Sequence, residues 1–309
     1  MTAAPAVELK GKKILVVGAT GMVAGPIVRH LARDNDVFGA ARFRNTGARE
    51  ALEAEGVHTV TLDLSDPDFS VVPPGLDYVI NLAVTHAPKF EKALAANAES
   101  LGLLMSHCRD VEAFLHCSST GVYQPAGHHL VSESDALGDN HRVLLPTYSI
   151  SKIAAEVVAR LSARLHGLPT VVARLNVPYG ECVAWPSMHL ECILSGQPIQ
   201  VLPGEETVYS PIHSDDILRQ IPLLLGVASV PAATVNWAGP EVVSVQEWCR
   251  YLAEMVGAEA VFEETEMALP SVAVDVTRMN RLIGPSLVGW KDGMRRLVEA
   301  SHPERLKTG

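Results

Sequence analysis

Short apolar runs recur through the first half of the chain, each followed by a stretch with helical spacing. KKILVVG (12–18), DVFGAAR (36–42), HTVTLDL (58–64), LDYVINLA (76–83), AFLHCSS (113–119) and PTVVARLN (169–176) read as buried strands. Between them, apolar positions repeat at helical intervals. One helix runs to about Leu31, a longer one from Phe90 to His107, and a third after Tyr148 through IAAEVVARLSARLH to a closing Gly167. The strands are apolar along most of their length, so both faces of the sheet must be covered. This pattern predicts an α/β fold with a doubly wound parallel sheet.

Beyond Asn176 the texture changes: prolines become frequent (Pro178, Pro186, Pro198, Pro203, Pro211) and elements shorten. The expected division is a sheet domain over 1–175, to which 213–239 returns, and a smaller C-terminal lobe from 176–212 and 240–309.

Composition narrows the partners. The chain has 309 residues, 48% hydrophobic, and a formal charge of −10. That charge argues against a general nucleic-acid or anionic-membrane partner. The apolar run after Lys12 and Lys13 reaches Gly18 too early for a signal peptide and lacks a cleavage pattern. No apolar stretch is long enough to span a bilayer. Cys108, Cys117, Cys182, Cys192 and Cys249 are scattered, with no CxxC pair, which fits reduced thiols in a cytoplasmic protein.

The first strand ends in Gly18-Ala19-Thr20-Gly21-Met22-Val23-Ala24 and leads straight into a helix. Glycines there let the backbone turn tightly and approach a pyrophosphate at the helix N-terminus. The sheet domain is therefore expected to be a Rossmann-type dinucleotide site, with Gly18, Thr20, Gly21, Met22 and Val23 at the phosphates. The second strand ends in Arg42-Phe43-Arg44, with no carboxylate for ribose hydroxyls. Arginines at that place suit a ribose phosphate, so NADP is favoured, with NAD the alternative. Asp63 and Leu64 close the third strand near the expected adenine, and Leu82 and Ala83 follow the fourth.

Tyr148 and Lys152 are four residues apart at a helix start, so they share a face. An ammonium beside a phenol lowers its pKa from about 10, which suits proton transfer to or from a carbonyl or hydroxyl oxygen.

Together these segments resemble the extended short-chain dehydrogenase/reductase superfamily, of the NAD-dependent epimerase/dehydratase type. GATGMVA, LDL, VINLA, HCSSTGVY, YSISK, RLNVPYG, SPIHSDDI, VNWAG and DVTRMNRLIG stand in that family's order over nearly the whole chain. The resemblance implies catalytic Ser119, with Thr120 beside it, the acid/base Tyr148, and Lys152 on the nicotinamide ribose. It also implies a homodimer through helices near 90–107 and 149–166, and no metal.

Departures from the family pattern bear on chemistry. Sugar-nucleotide dehydratases of the family carry an Asp-Glu pair after the catalytic threonine, whereas Ser119 is followed by Thr120-Gly121. The segment from Leu175 to Leu218 has no lysine or arginine but holds Glu181, Glu191, Glu205 and Glu206. Val208-Tyr209-Ser210-Pro211 stands where the family places a diphosphate-binding arginine, leaving Arg278 as a candidate replacement. The segment PYGECVAWPSMHL is apolar and aromatic; Tyr179 and Trp185, with Met188, are candidates for a partly apolar substrate. His189 is a candidate second acid/base or a structural histidine. His128, His129, Glu133 and Asp135 match no metal spacing and read as a polar loop. His213-Ser214-Asp215-Asp216 reads as a helix start capped by Ser214 or Asp215.

The leading expectation is an NADP(H)-dependent oxidoreductase interconverting a carbonyl and an alcohol on a largely uncharged small molecule. The alternatives are an NAD-dependent sugar or sugar-nucleotide epimerase with retained cofactor and a non-catalytic NADP-binding sensor or scaffold.

Overall fold

The structure is a computed structural model describing residues 6–180 and 184–306. Its elements in order are β1 (Lys13–Val17), α1 (Ala24–Leu31), β2 (Asp36–Ala41), α2 (Thr46–Ala54), β3 (His58–Thr61), β4 (Tyr78–Asn81), α3 (Phe90–Leu94), α4 (Ser100–His107), β5 (Ala113–Ser119), α5 (Tyr148–His166) and β6 (Thr170–Leu175). There follow β7 (Pro178–Tyr179), α6 (Trp185–Ser195), β8 (Ile199–Val201), β9 (Val208–Tyr209), β10 (Ile212–His213), α7 (Ser214–Gly226), β11 (Ala233–Trp237), β12 (Val243–Ser244), α8 (Val245–Val256), β13 (Phe262–Glu264), α9 (Thr277–Ile283) and α10 (Trp290–Ser301).

The main sheet has seven strands in the order β11-β6-β5-β4-β1-β2-β3. Every pairing within it is parallel. The chain passes from β1 outward to β2 and β3, then returns to β4 on β1's other side. The strand order reverses there, and a crevice opens beyond the C-terminal strand ends.

Alternate strand residues face opposite helical layers. Ile14, Val16, Ile80 and Leu115 pack with Ile27 and Val28 of α1 and Ile217 and Ile221 of α7. Leu15, Val17, Val79 and Phe114 pack with Leu101 and Leu104 of α4 and Ala155 and Ala159 of α5. Both faces are thus covered, which is why the strands read as apolar runs rather than alternating ones. A third core fills the lobe, built on Trp248, Tyr209, Leu190 and Met294.

The structure departs from the sequence-based division at α9. This helix falls within 240–309, yet its Met279 and Ile283 join the sheet core beside Val235 and Trp237. Spaced four apart, they form one apolar stripe with a surface to cover beside β11. The helix expected over 90–107 is continuous but widens into a π turn at Ala95–Glu99 between α3 and α4. The cap of α7 is His213, whose Nδ1 accepts from Asp215 N at 3.1 Å, rather than Ser214 or Asp215. Among the described residues no helix is long and apolar enough to cross a membrane.

Candidate active site

The site is assembled where the strands end. Gly18 follows β1 with φ +90°, a region costly to side-chain-bearing residues. A Cβ on it would stand 2.9 Å from the backbone N and Cα of Ala83. The turn is held by Gly18 N donating to Ala40 O at 2.8 Å and Gly21 N donating to Gly18 O at 2.7 Å. Thr20, Gly21 and Met22 lie exposed at the start of α1, with Val23 half-buried behind them. No side chain among the described residues caps α1. Gly25 N donates to Gly21 O at 2.8 Å and Pro26 carries no N–H, so this end of α1 offers an anion chiefly its positive dipole and the exposed backbone of the turn. This close-backed, uncapped cradle fits the pyrophosphate of a dinucleotide.

Arg42 and Arg44 are exposed just beyond β2. Phe43 between them has φ 43°, so the chain turns sharply there. Arg49 lies over the Phe43 ring at 4.8 Å and bonds the Thr61 hydroxyl. Asp63 uses one carboxylate oxygen on its own turn, accepting from Ser65 N at 3.0 Å. Leu64, Leu82 and Ala83 are half-buried along the same edge. The expected cofactor residues other than Tyr148 and Lys152, which stand on α5, thus lie on the loops beyond β1, β2, β3 and β4.

Ser119 is the last residue of β5 and half-buried. Its Oγ accepts from Gly121 N at 3.1 Å. Tyr148 opens α5, and its phenol faces the Ser119 hydroxyl. Lys152 is buried one turn further on, its Nζ donating to Cys117 O at 2.8 Å.

This placement corrects the expected electrostatics. Burial pushes the Tyr148 phenol up to about 12, opposed by the Ser119 hydroxyl. Lys152 serves the β5 backbone, and burial pulls its own pKa down. The shared helix face is real, but the two side chains take different partners along it.

Several residues that position the site are not among those the sequence reading singles out. Asn97, inside the π turn, accepts from Thr85 N at 2.7 Å and donates to Thr85 O at 2.9 Å. It also donates to Ser151 Oγ at 3.2 Å. The segment after β4 is thereby tied to the first turn of α5. Below the site, Ser118 donates to Glu156 at 2.6 Å, and Arg174 grips the same carboxylate through Nε at 2.9 Å and Nη2 at 2.8 Å. Glu156 follows Lys152 by one turn on a buried face. That spacing is the sequence signal that would have revealed it.

Of the other expected substrate residues, Thr120, Tyr179 and His189 are buried and Trp185 is half-buried. Thr120 is buried and its hydroxyl accepts from Asn176 Nδ2 at 3.0 Å. Tyr179 is fully buried, edge-on to His213. His189 Nδ1 accepts from Trp248 Nε1 at 3.0 Å, while Trp185 packs on His189, Tyr209 and Trp248. Burial takes the His189 pKa down to about 4, so the ring is a neutral acceptor in the lobe core. Tyr179, Trp185 and His189 are aromatic for packing, which a one-dimensional pattern does not separate from substrate contact. Met188, by contrast, is exposed on α6. Glu181, Cys182 and Val183 lie outside the described residues. Arg278 donates from Nε to Thr234 O at 2.8 Å, near the start of β11 and away from the strand ends. The polar loop is held by its own contacts, among them His128 with Glu206 O at 2.7 Å and Glu133 accepting from Asn236 N at 2.7 Å.

A family model, the NAD dependent epimerase/dehydratase family, matches residues 14–236. The chain belongs to this family. An Arabidopsis thaliana relative, a trifunctional UDP-glucose 4,6-dehydratase, 3,5-epimerase and reductase, is 25% identical over 94% of this chain and 47% of its own length. The chain thus spans about half the length of that relative. A low-salt glycan biosynthesis protein of Haloferax volcanii is 21% identical, over 93% of this chain and 97% of its own. Among solved structures, the Bacillus cereus UDP-glucuronic acid 4-epimerase with UDP-glucuronic acid and NAD superposes with TM-score 0.80 at 20% identity, covering 93% of this chain and 98% of that one. The fold of this epimerase/dehydratase family member is therefore the one its glycine loop and Tyr/Lys helix predict.

Proposed function

We propose that the chain is an NAD-dependent sugar epimerase that retains its cofactor and works on a sugar-nucleotide hydroxyl. The carrying observation is that Ser119, Tyr148 and Lys152 meet at the strand edge that also bears the glycine loop. This reading replaces the NADP(H) reductase as the first choice, because the neighbours that share the fold include a UDP-glucuronic acid 4-epimerase bound to NAD and UDP-sugars.

A bound nicotinamide supplies the hydride acceptor and donor for such a reaction. The turn from Gly18 to Val23 would hold its pyrophosphate, Arg42 and Arg44 its adenosine end, and Lys152 its ribose. Ser119 Oγ holds the substrate oxygen as charge develops on it. Tyr148 moves the proton at that oxygen, taking it from the alcohol and returning it to the carbonyl. Oxidation and re-reduction at one carbon on alternate faces invert it with no net use of cofactor.

A second reading, the NADP(H)-dependent carbonyl reductase of the sequence analysis, is favoured by one pair of observations. Arg42 and Arg44 stand exposed beyond β2, and no lysine or arginine occurs from Leu175 to Leu218. Purifying the protein without added nucleotide, denaturing it and identifying the released cofactor by mass spectrometry separates the two. Stoichiometric NAD is the expected result. Empty protein, or protein carrying NADP(H), would transfer the assignment to the reductase.

The proposed assembly is a homodimer. Val157, Leu161 and Leu165 lie four apart on α5 and are 51%, 53% and 69% exposed, beside Leu103 of α4 at 56%. A second copy of the same stripe is the self-complementary cover. Leu161→Glu with Leu165→Glu should give a folded monomer by light scattering; a wild-type chain that is already monomeric refutes the dimer.

A further inference from the structure

The ring of Tyr148 packs against two imidazoles. His86, beyond β4, stacks on one face, with ring centroids 5.6 Å apart and planes 16° apart. His141, in the loop before α5, leans against Tyr148 at 5.3 Å and 31°. The His141 ring also fills the place a side chain at 121 would take. A Cβ on Gly121 would stand 2.5 Å from His141 Cε1 and 2.7 Å from Nδ1, closer than real contacts allow. His141 Nδ1 is buried with no hydrogen-bond partner among the described residues. Shape, not a hydrogen bond from Nδ1, therefore seats this edge of the imidazole between Gly121 and Tyr148.

The backbone of His141 is tied to the same helix start. His141 N donates to Ser149 Oγ at 3.2 Å, and His141 O accepts from Leu145 N at 2.8 Å. Leu145 O in turn accepts from Tyr148 N at 2.9 Å. The imidazole and the first turn of α5 are thus one packed unit. Gly121 N holds Ser119 Oγ, so the residue that makes room for the ring also fixes the partner of the phenol.

We propose that His141 is the positioning residue for Tyr148, wedged against its ring to aim the phenol at Ser119, and that residue 121 is glycine to leave space for that imidazole. The proposal rests on the reading of Tyr148 as the acid/base. The wedge excludes water from the phenol, whose pKa burial pushes up to about 12. The other groups facing Tyr148 are Ser119 and Cys117 from β5 and His86 from the β4 exit.

The test needs no substrate. Tyrosine labelled with ¹³C at Cζ reports ionisation of each phenol by NMR, and loss of one resonance in Tyr148→Phe assigns the signal. In the wild type the Tyr148 phenol should stay protonated to about pH 11. His141→Ala should open it to water and bring its titration down by a pH unit or more, toward the ordinary value of about 10. Gly121→Ala, which pushes the ring aside, should do the same. His141→Phe keeps a ring in place and should leave the titration where the wild type has it. A folded His141→Ala protein with an unmoved Tyr148 titration overturns the proposal. Should His141→Ala fail to fold, Gly121→Ala against His141→Phe decides in the same way. Failure of the functional reading shows elsewhere, as wild-type turnover in Tyr148→Phe whatever the titrations do.

Discussion

Replacing Tyr148 with phenylalanine is expected to lower turnover by roughly 10²–10⁴-fold, the usual worth of a placed acid/base. That corresponds to about 3–5 kcal/mol of transition-state stabilisation. Nucleotide affinity should change little, since the ring, its two imidazole neighbours and Lys152 remain. The pH profile carries a sign. Burial holds the phenol neutral up to about 12. A neutral phenol is ready to give its proton to a carbonyl, so the re-reduction step should be flat across neutral pH. The oxidation step needs the phenolate, so its rate should climb about tenfold per pH unit without a plateau below about pH 11. A Tyr148→Phe protein within tenfold of wild type would contradict this role, and an oxidation rate flat between about pH 6 and 10 where chemistry limits the rate would contradict the raised pKa.

Glu156→Ala is expected to cost about 3–5 kcal/mol of stability. Glu156 is fully buried, and Arg174 is 2% exposed. The carboxylate receives two guanidinium hydrogen bonds and the Ser118 hydroxyl. Arg174 Nη1 donates to Tyr123 Oη at 2.9 Å, and Tyr123 donates to Asn236 Oδ1 at 2.5 Å. Deleting the carboxylate leaves a guanidinium in the interior without its counter-charge. An intact buried pair adds little over apolar packing of the same volume, but breaking it from one side is costly. At roughly 2–4 °C per kcal/mol for a large domain, Tm should fall by about 6–20 °C. Glu156→Gln, which retains part of the hydrogen bonding, should cost less. A urea midpoint for Glu156→Ala that implies a loss under about 1 kcal/mol would show that the network is dispensable.

These two residues also mark what a linear reading reaches. Strands betray themselves because parallel strands are apolar on both faces, and the glycine loop because Gly18 must approach Ala83 closely. Tyr148 and Lys152 are visible through helical spacing. The partner of Lys152 is not, because a backbone carbonyl has no sequence identity. His86 and His141 both reach Tyr148 only because the β4 exit and the loop before α5 converge on one strand edge, and loops carry no periodicity. Tyr179, Trp185 and His189 stay ambiguous in a linear reading for the opposite reason: an aromatic cluster in a small lobe has the same composition whether it packs a core or lines a cleft. The return of α9 to the sheet was hidden by its shortness, since Met279 and Ile283 make only one turn of pattern.

The most direct measurement follows hydrogen at the reacting carbon. The purified protein, with no added nucleotide, would be incubated in D₂O with UDP-glucose, UDP-glucuronic acid and dTDP-glucose and followed by NMR. The account predicts that one sugar nucleotide is converted to its epimer, with the carbon-bound hydrogen retained and no deuterium entering. No change in any sugar nucleotide, together with NADPH consumption on a simple ketone, would contradict it and make the chain a one-way reductase.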